Sequence, residues 1–249
     1  MSNIDHIEFS KYKRFFAFGC SCTNWLWPTW ADIIGRNIPE YYNFGIRGAG
    51  NIFISNKLFE MHQRHSFSKD DLIIVMWSGI NREDRYIGGS WRVGGNIYNN
   101  DIYDEDYLMK YADIRGFLIR DLALISSSYY FLNSLSCDFS MLNMAPISVF
   151  SESSCSYDDF LDDIIELYES VLDKIKPDIL NTVFNGNFPL TERYDHPLPI
   201  HYLKYLQSIF KNFSIDESTK QFVIKHTLNV VKNNQVELFD NGSLNCQGF

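Results

Sequence analysis

Short, nearly unbroken apolar runs alternate along this chain with longer stretches in which apolar residues return every three or four positions. Residues 15–18 (FFAF), 41–46 (YYNFGI), 72–77 (LIIVMW) and 139–144 (FSMLNM) are of the first kind. Apolar runs of that length, bounded by glycine, serine or charge, predict strands buried on both faces. Residues 28–35, 51–65, 107–135, 157–175, 200–213 and 217–232 carry the helical spacing. In 51–65, for example, Ile52, Ile54, Leu58, Phe59 and Met61 lie closer to a period of 3.6 than to strict alternation. Gly35 reads as a C-cap, Gly116 as a tolerated interruption and Pro177 as a stop. A further run, 179–184 (ILNTVF), predicts a fifth short strand. Strands alternating with helices predict an α/β fold with a mostly parallel central sheet, covered on both faces. The exception to the alternation is 82–106, rich in glycine and carrying Tyr86, Trp91, Tyr98 and Tyr103. It reads as a long aromatic loop, a length uncommon in compact domains unless the loop serves as a lid or a partner surface.

Composition narrows the function. At 249 residues, 45% of them hydrophobic, with no Pro/Gly/Ser-rich linker, the chain is expected to be one domain, 1–249, with the 82–106 loop as its insertion. A net charge of −9 argues against nucleic acid or an anionic membrane as the main partner, since both require clustered Lys and Arg. No apolar stretch reaches bilayer length, and the first residues show no secretory apolar core, so a cytoplasmic protein is expected. Cys20 and Cys22 are too close for a zinc finger and Cys137, Cys155 and Cys246 are scattered, so all five read as reduced thiols with no metal role. His6, His62, His65 and His226 read as surface residues, and the acidic run 158–163 as the solvated face and first turn of a helix.

The candidate chemistry sits in the turns. Ser21 follows the first strand, Gly48 (in NFGIRGAGN) the second, and Asn81 (in WSGINRED) the third, while Asp195 and His196 (in RYDHPLPIH) lie in a late loop before a helix. Parallel strands bring their carboxyl ends to one edge, so turns remote in sequence converge there. Serine acyl transfer needs a base matched to neutral pH, for which histidine is suited, and donors aimed at the developing oxyanion. Gly48 and Gly50 read as positions that need positive φ. Trp30 is assigned to the core, Trp25 and Trp27 to core or to an aromatic wall beside Ser21, and 82–85 to an ion-paired rim from which Arg82 or Arg85 contacts an anionic substrate.

Four blocks in order, FGCS at 18–21, the glycine turn at 45–51, Gly79-Ile80-Asn81 and Asp195-His196-Pro197, resemble those of the SGNH (GDSL-type) hydrolases. The resemblance implies a three-layer α/β/α, flavodoxin-like fold, no cofactor, and a serine ester hydrolase. Ser21 would be the nucleophile; its own N–H, the N–H of Gly48 and the Asn81 side chain the oxyanion hole; His196 the base. Trp25, Trp27 and Arg82 are the candidate substrate contacts. Two positions depart from the family. Cys20 stands where an aspartate is usual, and is expected to point away from Ser21. Arg193 stands three residues before His196, where the orienting aspartate is usual, so Asp195 takes that role here, with Glu192 behind it; alternatively His201 is the base. The implied substrate is a small-molecule or glycan ester from which a small acyl group, such as acetyl, is removed. An acyltransferase with the same site, or a catalytically weak glycan-binding module, are the rival readings.

Overall fold

The computed structural model describes residues 3–99, 102–147, 159–185 and 196–233. Along the chain run β1 (Arg14–Phe18), α1 (Trp30–Gly35), β2 (Glu40–Asn43), α2 (Asn51–His65), β3 (Asp71–Trp77), β4 (Arg82–Ile87), β5 (Ser90–Asn96), α3 (Glu105–Tyr111), α4 (Ile114–Ser134) and β6 (Asp138–Asn143). α5 (Asp159–Leu167), α6 (Glu169–Leu172), α7 (Ile179–Phe184), α8 (Pro199–Ile209) and α9 (Glu217–Asn233) follow. Four parallel strands make the main sheet in the order β2-β1-β3-β6, and β4 and β5 form a separate antiparallel hairpin. Every residue of β3 is buried, which is why its sequence is apolar without alternation. The chain leaves β1 for one neighbour, β2, and returns to β1's other side as β3. The carboxyl ends of β1 and β3 are therefore a topological switch point, where open α/β sheets place their ligands.

The core is packed with rings: Phe15, Phe16, Phe18, Trp30, Trp77, Phe139, Tyr202 and Tyr205 are all fully buried. At the opposite end of the sheet, Arg14 holds the buried Asp71 in a two-pronged pair, Nε and Nη2 each 2.7 Å from a carboxylate oxygen. Among the described residues no helix is long and apolar enough to cross a membrane.

Several expectations need correction. Residues 179–184 form α7, not a strand: Asp178 follows Pro177 and accepts the Asn181 N–H, so an N-cap starts a helix whose Ile179 and Leu180 are buried. The edge beside β6 is touched instead by Ile175, which bridges to Met141. The stretch 82–106 is not a loop, since most of it pairs as β4–β5, reversing through Gly88 and Gly89 at φ 62° and 85°. The helix expected over 107–135 is two, because Asp113 caps a new start at α4 by accepting from the Arg115 backbone. His62 and His65 are half-buried against rings, His62 on Phe67 and Phe131, His65 on Phe16 and Tyr42.

Candidate active site

β1 ends at Gly19, and a side chain there is sterically excluded, since a Cβ would fall 2.0 Å from Thr23 Oγ1. The carbonyl of Cys20 then accepts from the N–H groups of Thr23 (3.0 Å) and Asn24 (3.1 Å), closing a single turn that contains Ser21. The turn is tied down from below. Thr23 O accepts from Asn43 Nδ2 (2.9 Å) and Thr29 Oγ1 (2.7 Å), and Asn24 Nδ2 donates to Gly45 O (2.9 Å). Cys20 is buried, with its sulfur 3.7 Å from Met144 Sδ. Of the two flanking thiols Cys20 is the more acidic, because Cys22 donates a hydrogen bond to it; that bond and burial push Cys22 up.

The turns after the first three strands are joined into one edge. The Ile46 N–H donates to Gly19 O, linking the Ser21 turn to the glycine turn. Asn51 links the glycine turn to the third: its Oδ1 accepts from Ser78 N (2.9 Å), and its Nδ2 donates to Ser78 O (3.0 Å) and Asp121 Oδ2 (2.8 Å). The hairpin closes across both, with Gly95 N–H on Gly48 O and Ile97 N–H on Asn81 O, each at 2.9 Å. Gly48 has the expected positive φ, 79°, and a Cβ on it would sit 3.1 Å from Gly95 N. Gly50 does not: its φ is −97°, and its need for glycine is steric, since a Cβ would lie 2.7 Å from Arg82 Cβ and 2.8 Å from Asp84 Oδ2. Ser21 and Asn81 are both buried.

His196 is held by the tryptophans. Its ring lies parallel to Trp25 with centroids 3.6 Å apart, and Trp27 Nε1 donates to the carbonyl of the adjoining Pro197 (2.7 Å). Trp27 and Trp30 are buried; Trp25 is half-buried. Burial, then the positive charges of Arg82 and Arg47, push the His196 pKa down to about 4. The buried Nδ1 of His196 has no hydrogen-bond partner among the described residues, and none of them bridges Ser21 to His196 by a hydrogen bond. Asp195 and Glu192, the expected orienting acids, lie outside the described residues. His201 is occupied structurally: at the start of α8 its Nδ1 accepts the Leu198 N–H (3.2 Å) while its backbone N–H donates to Leu198 O (2.9 Å), and its ring meets Phe184 edge-on. The half-buried Arg82 donates to Ala49 O (2.8 Å), and its charge acts on Cys20, Cys22 and His196 alike, so one guanidinium is felt by both the Ser21 turn and the histidine. Arg85 turns elsewhere, to Glu83 (2.8 Å) and the Tyr107 hydroxyl (2.7 Å).

Two residues that organise the edge were missed by the sequence reading. Asn51 stood in the quoted glycine block but reads as an ordinary first helical residue. Asp84 was assigned to a surface ion pair, whereas it is buried and its carboxylate accepts the N–H groups of Gly50 (2.9 and 3.0 Å) and Phe53 (2.9 Å), capping α2. Among the described residues no three His, Cys, Asp or Glu side chains group as metal ligands.

No protein-family model and no curated protein matches the sequence. One similar solved structure is that of a member of the lipolytic protein G-D-S-L family from Veillonella parvula. It is similar over 88% of this chain and 98% of its own, at 13% identity and a TM-score of 0.34, too distant a likeness to assign a residue or a reaction.

Proposed function

We propose that the protein is a serine ester hydrolase built as one domain over 1–249. The observation that carries this reading is the joining of the Ser21, Gly48 and Asn81 turns into one edge at the switch point, with His196 fixed to the same locus by Trp25 and Trp27. In the proposed reaction Ser21 Oγ attacks the ester carbonyl while His196 takes its proton. Backbone N–H groups of Ser21 and Gly48 and the Asn81 amide receive the oxyanion. Collapse expels the alcohol, which takes the proton back from His196, and water then cleaves the acyl-enzyme by the same steps. Asp195 is the proposed orienting acid and His201 the alternative base. A small acyl group such as acetyl on a carbohydrate is the proposed substrate, with no cofactor. The free thiols of Cys20, Cys22 and Cys137 support a reducing, cytoplasmic setting.

One rival, a catalytically weak domain that binds a glycan, is favoured by the Nδ1 of His196, which has no hydrogen-bond partner among the described residues. The test is turnover of p-nitrophenyl acetate and labelling by a fluorophosphonate in wild type, Ser21→Ala, His196→Ala and His201→Ala. Loss of label and turnover in Ser21→Ala, and of turnover in one histidine variant, is expected. Folded wild-type protein that neither turns over nor labels would move the reading to binding.

A further inference from the structure

The arginines of this protein differ in what they meet. Arg14, Arg64, Arg85 and Arg120 each meet a carboxylate at 2.6 to 2.8 Å. Among the described residues Arg36, Arg47, Arg82 and Arg92 do not, and of these Arg47 and Arg82 both act on His196. Arg47 is exposed, and its guanidinium carbon lies 4.8 Å from the Trp25 ring centroid; among the described residues it has no carboxylate within ion-pair distance. Arg82 donates to a neutral carbonyl, Ala49 O. Asp84 is a carboxylate close enough to feel Arg82, but its oxygens are engaged by the Gly50 and Phe53 N–H groups. Among the described residues, Trp25 Nε1, a donor only, is buried without an acceptor, and the Nδ1 of His196, whose ring stacks on Trp25, has no partner. In a chain with 31 acidic and 22 basic residues, two arginines without a carboxylate partner among the described residues thus act together on His196, next to a tryptophan donor with no described acceptor.

We infer that the Arg47–Arg82 locus binds a negatively charged group on the substrate, so that the ester cleaved at Ser21 carries a carboxylate, sulfate or phosphate. The inference rests on the hydrolase reading and names its substrate class. A guanidinium presents a fork of fixed donors that matches such oxyanions, and Trp25 supplies the flat apolar wall against which Arg47 is laid out. The same charges keep a bare imidazolium from forming at His196, so the bound anion also restores some of its basicity.

The test compares ester pairs that differ only in charge, each corrected for its uncatalysed rate. p-Nitrophenyl hemiadipate against its methyl ester places the charge on the acyl side. 4-Acetoxybenzoate against its methyl ester places it on the alcohol side. One of the two anionic esters is expected to exceed its neutral twin in kcat/KM by about tenfold, the scale of one hydrogen bond to a charged group. That ratio should fall towards one in Arg47→Gln and in Arg82→Gln, and shrink as sodium chloride is raised. Turnover of p-nitrophenyl acetate without any preference for either anionic ester overturns the inference and leaves the hydrolase reading standing. Should no ester turn over, the hydrolase reading fails, and benzoate titrated against tryptophan fluorescence decides the anion site. Saturable quenching lost in Arg47→Gln supports it, and no saturable binding by wild type overturns it.

Discussion

At the scale of single residues, His196 has an electrostatic signature that can be measured without a substrate. Burial is the first cause of its lowered pKa, and the Arg82 and Arg47 charges add to it. The ring is therefore neutral from about pH 5 upward, and its titration, followed by NMR of the imidazole protons, is expected near pH 4. In Arg47→Gln the midpoint should rise but remain below the ordinary 6.5, because burial, the larger cause, is untouched. A wild-type midpoint at or above 6.5 would show that His196 is not in this environment. If His196 is the base, the acid limb of kcat/KM follows the same midpoint. Gly48 offers a second residue-scale test. Alanine there meets both an unfavourable φ and a backbone nitrogen at 3.1 Å, whereas alanine at Gly89 meets the φ alone, with nothing within 4 Å. Gly89→Ala should cost about 1 kcal/mol and Gly48→Ala measurably more, read from urea melts. Equal costs would mean that the hairpin does not press on Gly48.

At the scale of elements, the site depends on how α2 begins. Its Gly50 N-cap has no side chain to satisfy the first N–H groups, and Asp84, arriving from β4 at the hairpin's start, does so instead. Asp84→Ala is expected to destabilise the protein by about 1–2 kcal/mol, the cost of a lost cap, by leaving buried donors unpaired. An unchanged denaturation midpoint would show that water replaces the carboxylate. This contact also explains what the sequence revealed and what it concealed. β1, β3, β6 and α2 were legible because a buried strand and a long amphipathic helix write their environment into consecutive residues. α7 was misread because six apolar-rich residues fit either period, and Pro177-Asp178 outweighed the strand-like Val183 and Phe184. The hairpin was misread because its strands contain Gly94 and Gly95 and few β-branched residues, so its pairing is set by the turn at 88–89 and by bonds to Gly48 and Asn81 rather than by propensity. Within the candidate site, the convergence of the Ser21, Gly48 and Asn81 turns was legible through their order along the chain. Asn51, Asp84 and Arg47 were not, because each acts on a partner far away in sequence or across the fold.

At the scale of the whole molecule, burying ionisable groups around the sheet leaves a record in the pH dependence of stability. Asp121, held by Arg120 Nε and Asn51 Nδ2 beneath the switch point, has a pKa pushed up to about 6 by burial, against 3.8 for an ordinary aspartate. Asp32, in the first turn of α1, is pushed up to about 6 for the same reason. Between those values the folded protein holds more protons at these sites than the unfolded chain. Their contribution to stability is thus full below about pH 3.8 and is lost as pH rises through about 6. His196 acts with the opposite sign: its folded pKa lies below its unfolded one, so its contribution is full above pH 6.5 and is lost as pH falls through about 4. The overall curve mixes these slopes, and a difference between variants separates them. Asparagine does not titrate, so the stability of wild type relative to Asp121→Asn should be larger at pH 4.5 than at pH 7.5, measured by urea denaturation at both. Meanwhile wild type relative to His196→Ala should change in the other direction over the same interval. An Asp121→Asn difference that stayed constant, or grew with pH, would mean that the carboxylate is solvated rather than sealed beneath the edge that carries Ser21 and Asn81. The joining of that edge through Asn51 and Asp121 would then have to be abandoned.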